Sequence, residues 1–182
     1  MAINFPEGTQ NYPASVTDFS SVQRGGEESW AFNAGGYYVR PNYTVTVSVN
    51  GTSNYVYLIG NIACSPTTDA NEWGWRWVFR SGTSGTWNAL TANGAIGDTL
   101  NGRHGWVTGQ HNDNERAEFG RSYNMATTWA TGLSAGTWQF APQFHNVGSN
   151  MTMYINRFGW NEINSGWDRR ASSTVSAFVL DI

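Results

Sequence analysis

Period-two alternation of large apolar residues constrains this chain more than any other feature. It is plainest in Glu72–Arg80, "EWGWRWVFR". There Trp73, Trp75, Trp77 and Phe79 share one parity, and Arg76 and Arg80 share the other. A helix would spread those indoles around its axis, whereas an extended strand lines them along one side. That side is either a platform on which sugars or bases stack, or a wall of the core. Three neighbouring indoles in water would make a large apolar patch, and each carries about 150–250 Å2 that burial removes from water. Core or subunit interface is therefore the expectation, with the arginines turned toward solvent or a partner.

The same period recurs along the chain. In "YTVTVSV", Tyr43, Val45, Val47 and Val49 face one way and three hydroxyl residues the other, which predicts a half-wet strand closed by the turn "NGTSN". "YVYLIGNIA" is apolar on both parities, so both its faces are expected to be covered. "GTWQFAPQF" puts Trp138, Phe140 and Phe144 together, and Pro142 within it predicts a sheet edge or a bulge. "NMTMYIN" aligns Met151, Met153 and Ile155. Only Glu115–Leu133 invites a test for a helix; Gly120 and the pair Thr127–Thr128 argue against one, and two short extended segments joined by a loop are expected. Between the runs lie "SGTSG", "ANGAIGD", "NVGSN" and "NSGW". Many short strands separated by such clusters predict an all-β fold, a jelly-roll β-sandwich. Composition agrees: 21 glycines and 15% aromatics accompany only 13% charged residues, the reverse of a disordered chain. No heptads and no fixed-period repeat appear, so no coiled-coil shaft or solenoid is expected.

A length of 182 residues suits one domain or one domain with an arm. Residues 1–25 carry two early prolines and no alternation and read as an extended N-terminal docking arm; residues 26–182 read as the sandwich. Ile3, Phe5 and Tyr12 are too few to build a core and suit docking onto a neighbour. The last run, "STVSAFVLDI", is apolar on both parities, Val175, Ala177 and Val179 against Phe178, Leu180 and Ile182. A two-layer sandwich supplies one inner face per sheet, so the second face is expected to meet sister chains, and all six residues are candidates for a subunit interface.

Several classes are disfavoured. Net charge is −3 and the ten basic residues, all arginine, are scattered, so no nucleic-acid partner is expected. No apolar run approaches the roughly 18 residues of a membrane-spanning helix, so no membrane insertion is expected. "MAINFPEGTQNYP" lacks the basic and apolar regions of a secretion signal, and the sequons at Asn42, Asn50 and Asn150 then read as chance. Cys64, the one cysteine, sits in an apolar run and reads as a small buried hydrophobe.

At this point the strings themselves resemble a known family. "LSAGTWQFAPQFHNVGSNMTMYINRF", a Gly/Trp/Arg-rich interval and "RRASSTVSAFVLDI" resemble the C-terminal half of the C1q/TNF-like jelly-roll module of phage tail fibres and other virion structural proteins. "FRSGTSGTWNAL" is similar to that family's strand and Gly-Thr turn, and "MAINFPEGTQNYP" resembles the start of structural proteins of marine cyanobacterial phages. The likeness spans residues 15–182 loosely and is strongest over the last 50. Two departures are visible: the chain ends Asp181–Ile182 where the family ends Glu-Ile, and its tryptophan load is heavier. The resemblance implies homotrimers packed about an axis by one sheet of each sandwich.

Candidate sites are few. Trp160 and Trp167 lie in "FGWNEINSGWDRR" with Glu162, Asp168, Arg169 and Arg170. Aromatics beside amides and guanidinium groups suit sugar recognition, so Trp160, Trp167, Arg169 and Arg170 are the candidate glycan contacts; the plainer reading is a loop packing its own aromatics at a subunit seam. His111, Asp113 and Glu115 alternate, as ligands on one side of a strand would, but match neither an EF-hand nor a zinc signature, so a solvated loop and no metal are expected. No nucleophile elbow or Walker loop occurs, and Cys64 with three histidines is no thiol-protease signature. No catalytic residue, cofactor or enzymatic activity is expected. The expectation is an accessory structural protein of a tailed-phage virion: a homotrimeric short fibre, neck fibre or head decoration. It would be assembled in the host cytoplasm and held by capsid, neck or tail proteins. Its rival is a lectin-like receptor-binding module for host surface glycan.

Overall fold

The computed structural model describes residues 15–26, 28–66, 72–90, 107–110, 122–146, 149–156 and 172–181. These residues form twelve strands and a single 3-10 turn at Pro41–Tyr43. In chain order the strands are β1 (Ser15–Arg24), β2 (Glu28–Phe32), β3 (Tyr37–Val39), β4 (Val45–Val49), β5 (Asn54–Pro66) and β6 (Glu72–Ser81). They continue with β7 (Asn88–Ala89), β8 (Val107–Gln110), β9 (Ser122–Ala130), β10 (Gly136–Asn146), β11 (Met151–Ile155) and β12 (Ser173–Asp181).

All pairings are antiparallel and build two sheets, a sandwich of the jelly-roll type. In the first sheet β5 is the spine. One of its edges carries β12 along Asn54–Asn61 and then β11 along Cys64–Pro66; β9 lies along the other edge. Beyond them β1 pairs with β12 and β2 with β11. In the second sheet β10 is the spine. One edge pairs with β6 along its whole length, and the other with β4 and then β3. β7 and β8 finish the far edge of β6.

The alternating runs fold as their parity predicts. Tyr43, Val45, Val47 and Val49 are all buried, as are Met151, Met153 and Ile155. Trp73, Trp75 and Trp77 are walls of the core and not a platform. Trp75 and Trp77 meet edge to face at 5.7 Å and press on the backbone of β5, where Gly60 leaves room for them. A Cβ on Gly60 would lie 2.6 Å from Trp75 Cη2 and 2.9 Å from Trp77 Cζ2. The glycine at this position is set by close approach, not by backbone angle.

Two expectations are corrected. The sandwich begins at residue 15 and not at residue 26, because Ser15–Arg24 is a full strand paired with β12 from Ser15↔Asp181 to Arg24↔Ser173. A register shift between Val16 and Asp18 breaks its alternation and hides it from a period-two search. Pro142 is not at a sheet edge, since β10 is central. Its carbonyl accepts Arg40 N–H at 3.1 Å, in the gap where β4 has ended and β3 has not begun. The N–H that proline lacks would point into that same gap, so no ladder bond is lost. Of the two short segments expected within Glu115–Leu133, β9 is one strand of the described part, and residues 115–121 lie outside the described residues.

Candidate functional site

The strand read as two-sided divides cleanly. Val175, Ala177 and Val179 are fully buried inside the sandwich. Their assignment to a subunit interface is corrected: the opposing sheet already covers them, and no second chain can reach them. Phe178 and Leu180 point to the outer face, each only partly covered. Register places Tyr57 beside Phe178 and Tyr55 beside Leu180 on β5, and Phe19 and Val16 beside the same two residues on β1. The Phe19 and Phe178 rings meet at 4.7 Å. Val16 is 58% exposed, Phe19 51% and Tyr55 39%, so this is an apolar surface and not a sealed one. With Ile59 it forms a stripe across three strands, and none of these seven side chains carries a formal charge.

Val16 and Phe19 were hidden in the sequence because the register shift sets them three apart on one face. The same shift turns Asp18 toward the other sheet. There Asp18 Oδ2 accepts Ser48 N–H at 2.6 Å while its Oδ1 accepts Phe19 N–H at 2.8 Å. Two residues on, Ser20 Oγ accepts Thr46 N–H at 3.2 Å. β1 and β4 are margins of different sheets, and these side chains tie one to the other.

Below the stripe, β12 starts in a buried polar knot. Asn156 adopts a left-handed backbone (φ 59°), which asparagine tolerates better than most residues. Its N–H donates to Ala63 O at 2.9 Å, and its Nδ2 donates to Gly26 O at 3.0 Å and Tyr43 Oη at 3.1 Å. Ser173 Oγ donates to Asn156 Oδ1 at 2.6 Å and accepts Ala63 N–H at 3.0 Å. Burial, reinforced by Glu28, pushes the Tyr43 pKa up to about 12, against the pull of its Asn156 hydrogen bond. Asn156 and Ser173, far apart in sequence, are thereby fastened to each other.

At the β2 margin the Arg40 guanidinium lies 3.5 Å from the Trp30 ring and 4.9 Å from that of Phe32. Burial lowers its pKa to about 10, while Glu28 and Tyr38 favour the charge. Arg40 Nε and Glu28 Oε2 are both buried without a hydrogen-bond partner. The stacking is a cation–π contact that fixes β2 against the turn after β3.

The remaining candidates fall elsewhere. Trp160, Trp167, Arg169 and Arg170, the docking residues Ile3, Phe5 and Tyr12, the trio His111, Asp113 and Glu115, and Ile182 all lie outside the described residues. Among the described residues no three His, Cys, Asp or Glu side chains gather as metal ligands. No helix among them is long and apolar enough to cross a membrane.

No family model matches the chain, and no curated protein matches it. Among solved structures, a chain from "Structure of infectious bursal disease virus Gx strain" is similar to 91% of this chain, at a TM-score of 0.39 and 9% identity. This chain spans 38% of that one. A likeness this distant carries no functional argument.

Proposed function

We propose that the chain is an accessory structural protein of a tailed-phage virion, a short fibre, neck fibre or head decoration, and that it assembles as a homotrimer. One observation carries the reading: the uncharged stripe of Val16, Phe19, Tyr55, Tyr57, Phe178 and Leu180 on the outer face of the β5 sheet. The resemblance of its C-terminal strings to the C1q/TNF-like phage module supports the virion setting. Sister copies meeting through this stripe bury aromatic area without burying charge. Every 100 Å2 of apolar surface so removed contributes roughly 2.5 kcal/mol. The outer face of the β10 sheet would instead bring Arg76 and Arg80 of each copy together.

Sedimentation tests the assembly. The native chain sediments as a trimer, and Leu180→Asp, which sets like charges against one another, sediments as a folded monomer. A native chain that stays monomeric at tens of micromolar overturns the trimer. Particle association tests the setting. The native chain co-purifies with virions, and a chain lacking residues 1–14 keeps its fold, because β1 begins at Ser15, but does not join them. Incorporation of the shortened chain overturns the docking role of Ile3, Phe5 and Tyr12.

A further inference from the structure

The turn between β4 and β5 holds a chemically fragile step. Asn50 is exposed, and Gly51 follows it. An asparagine can lose its side-chain amide to its own main chain. The amide nitrogen of the next residue gives up its proton and attacks Cγ; the side-chain nitrogen leaves as ammonia, and a cyclic succinimide remains. Water then opens the ring at either carbonyl, giving aspartate or isoaspartate, so one water is consumed for each ammonia released. Glycine as the next residue favours this reaction, because no Cβ shields its nitrogen or restricts its backbone. Of the three Asn–Gly steps in the sequence, this one lies among the described residues; those at Asn93 and Asn101 lie outside them.

The nucleophile of that reaction is engaged in the fold. Gly51 N–H donates to Asn54 Oδ1 at 3.1 Å, and Asn50 N–H donates to the same oxygen at 2.8 Å. Asn54 N–H donates back to Gly51 O at 3.1 Å, so side chain and main chain of one residue clamp the turn. Asn54 is itself anchored: it opens β5 opposite Asp181 and is only 2% exposed. It takes the first inward position of the strand, in line with the buried Val56 and Leu58. An apolar residue there would bury as well but could accept neither amide of the turn.

We propose that Asn50 is a latent site of spontaneous deamidation and that Asn54 is the positioning residue that holds it in check. To attack, the Gly51 nitrogen must release the proton that Asn54 Oδ1 accepts and turn toward Asn50 Cγ, which opens the clamp. The product would undo the turn for good. Isoaspartate inserts an extra carbon into the main chain between β4 and β5, and either product adds a negative charge to a chain already at −3. The inference does not depend on how the chain assembles.

The test is peptide mapping by mass spectrometry after prolonged incubation of the full chain in mildly alkaline buffer, folded and in guanidinium chloride. Asn50 should convert about tenfold or more slowly in the folded chain than in the unfolded one, the factor that a clamp of more than one hydrogen bond supplies. What forms should be a mixture of isoaspartate and aspartate. Asn54→Ala should raise the folded-chain rate at Asn50 about fivefold, the factor that one net hydrogen bond is worth. Asn54→Asp keeps an acceptor oxygen and should stay near the native rate. Gly60→Ala weakens the fold elsewhere and should leave the Asn50 rate unchanged, which separates the clamp from general loosening. Hydrogen exchange at the Gly51 amide should rise in Asn54→Ala and not in Gly60→Ala. The folded–unfolded comparison stands even where Asn54→Ala does not fold. Equal rates in the folded and unfolded native chain, aspartate as the sole product, an unchanged rate in folded Asn54→Ala, or equal acceleration in Gly60→Ala overturns the proposal.

Discussion

Gly60→Ala is the sharpest probe of the core. The added methyl would sit 2.6 Å from Trp75 Cη2 and 2.9 Å from Trp77 Cζ2, inside any real carbon–carbon contact. Both atoms belong to rigid rings locked edge to face, with Trp75 fully buried and Trp77 nearly so, so neither can swing aside as an exposed chain end would. Overpacking of this kind costs about 1–3 kcal/mol. Restricting the unfolded chain by Gly→Ala offsets about 0.4–1 kcal/mol of that. The net loss is roughly 1–2 kcal/mol, and at 2–4 °C per kcal/mol for a chain of this size Tm falls by about 2–8 °C. Urea unfolding at one fixed protein concentration measures it, because self-association shifts apparent stability with concentration. The decisive comparison is the same change in a Trp75→Phe background, which removes the outer ring atoms that the methyl would strike. There the added cost of Gly60→Ala should shrink by at least about 0.5 kcal/mol, as coupled neighbours do. An unchanged or raised urea midpoint for Gly60→Ala, or strict additivity with Trp75→Phe, would refute the close-approach account.

Two further outcomes are expected. Asp18→Ala removes the acceptor for Ser48 N–H and Phe19 N–H and should cost about 1–2 kcal/mol; hydrogen exchange at the Ser48 amide should accelerate, and unchanged protection there would contradict the tie between β1 and β4. Tyr43, with its pKa raised to about 12, holds its proton in the fold after the unfolded chain has released it near pH 10. Its contribution is therefore intact below pH 10 and is lost as pH rises from 10 toward 12, by roughly 2–3 kcal/mol. Arg40 titrates in the opposite sense in that window, so the measurement is the difference between native chain and Tyr43→Phe in alkaline unfolding, and equal slopes would reject it.

The sequence reading succeeded where one face of a strand is wet. β4 and β11 follow period two, and their buried residues were legible from parity alone; in β6 the three tryptophans follow it too, but Val78 on the arginine parity is buried as well. It failed where geometry departs from that period. The register shift in β1 puts Val16 and Phe19 on one face with odd spacing, so a strand looked like an arm and two of the seven residues of the outer stripe were missed. Pro142 looked like an edge signal because nothing in the local sequence tells that two strands share one flank of β10 and leave a gap opposite it. Parity in β12 marked two apolar faces without telling which one the sandwich itself covers. The hydrogen bonds from Arg76 to Gln143 and from Arg80 to Gln139 were half visible, as arginines on the far parity of β6, but their glutamines lie more than fifty residues away, and only the β6–β10 register brings them together.

The tie from Asp18 and Ser20 to β4 has a consequence wherever copies of the chain are concentrated. Unpaired amides on a marginal strand are a template onto which a foreign strand can polymerise. Here Ser48 and Thr46 spend theirs on side chains from within the same molecule. Copies crowded together are thereby steered away from runaway fibril growth along this flank and left to meet through their faces.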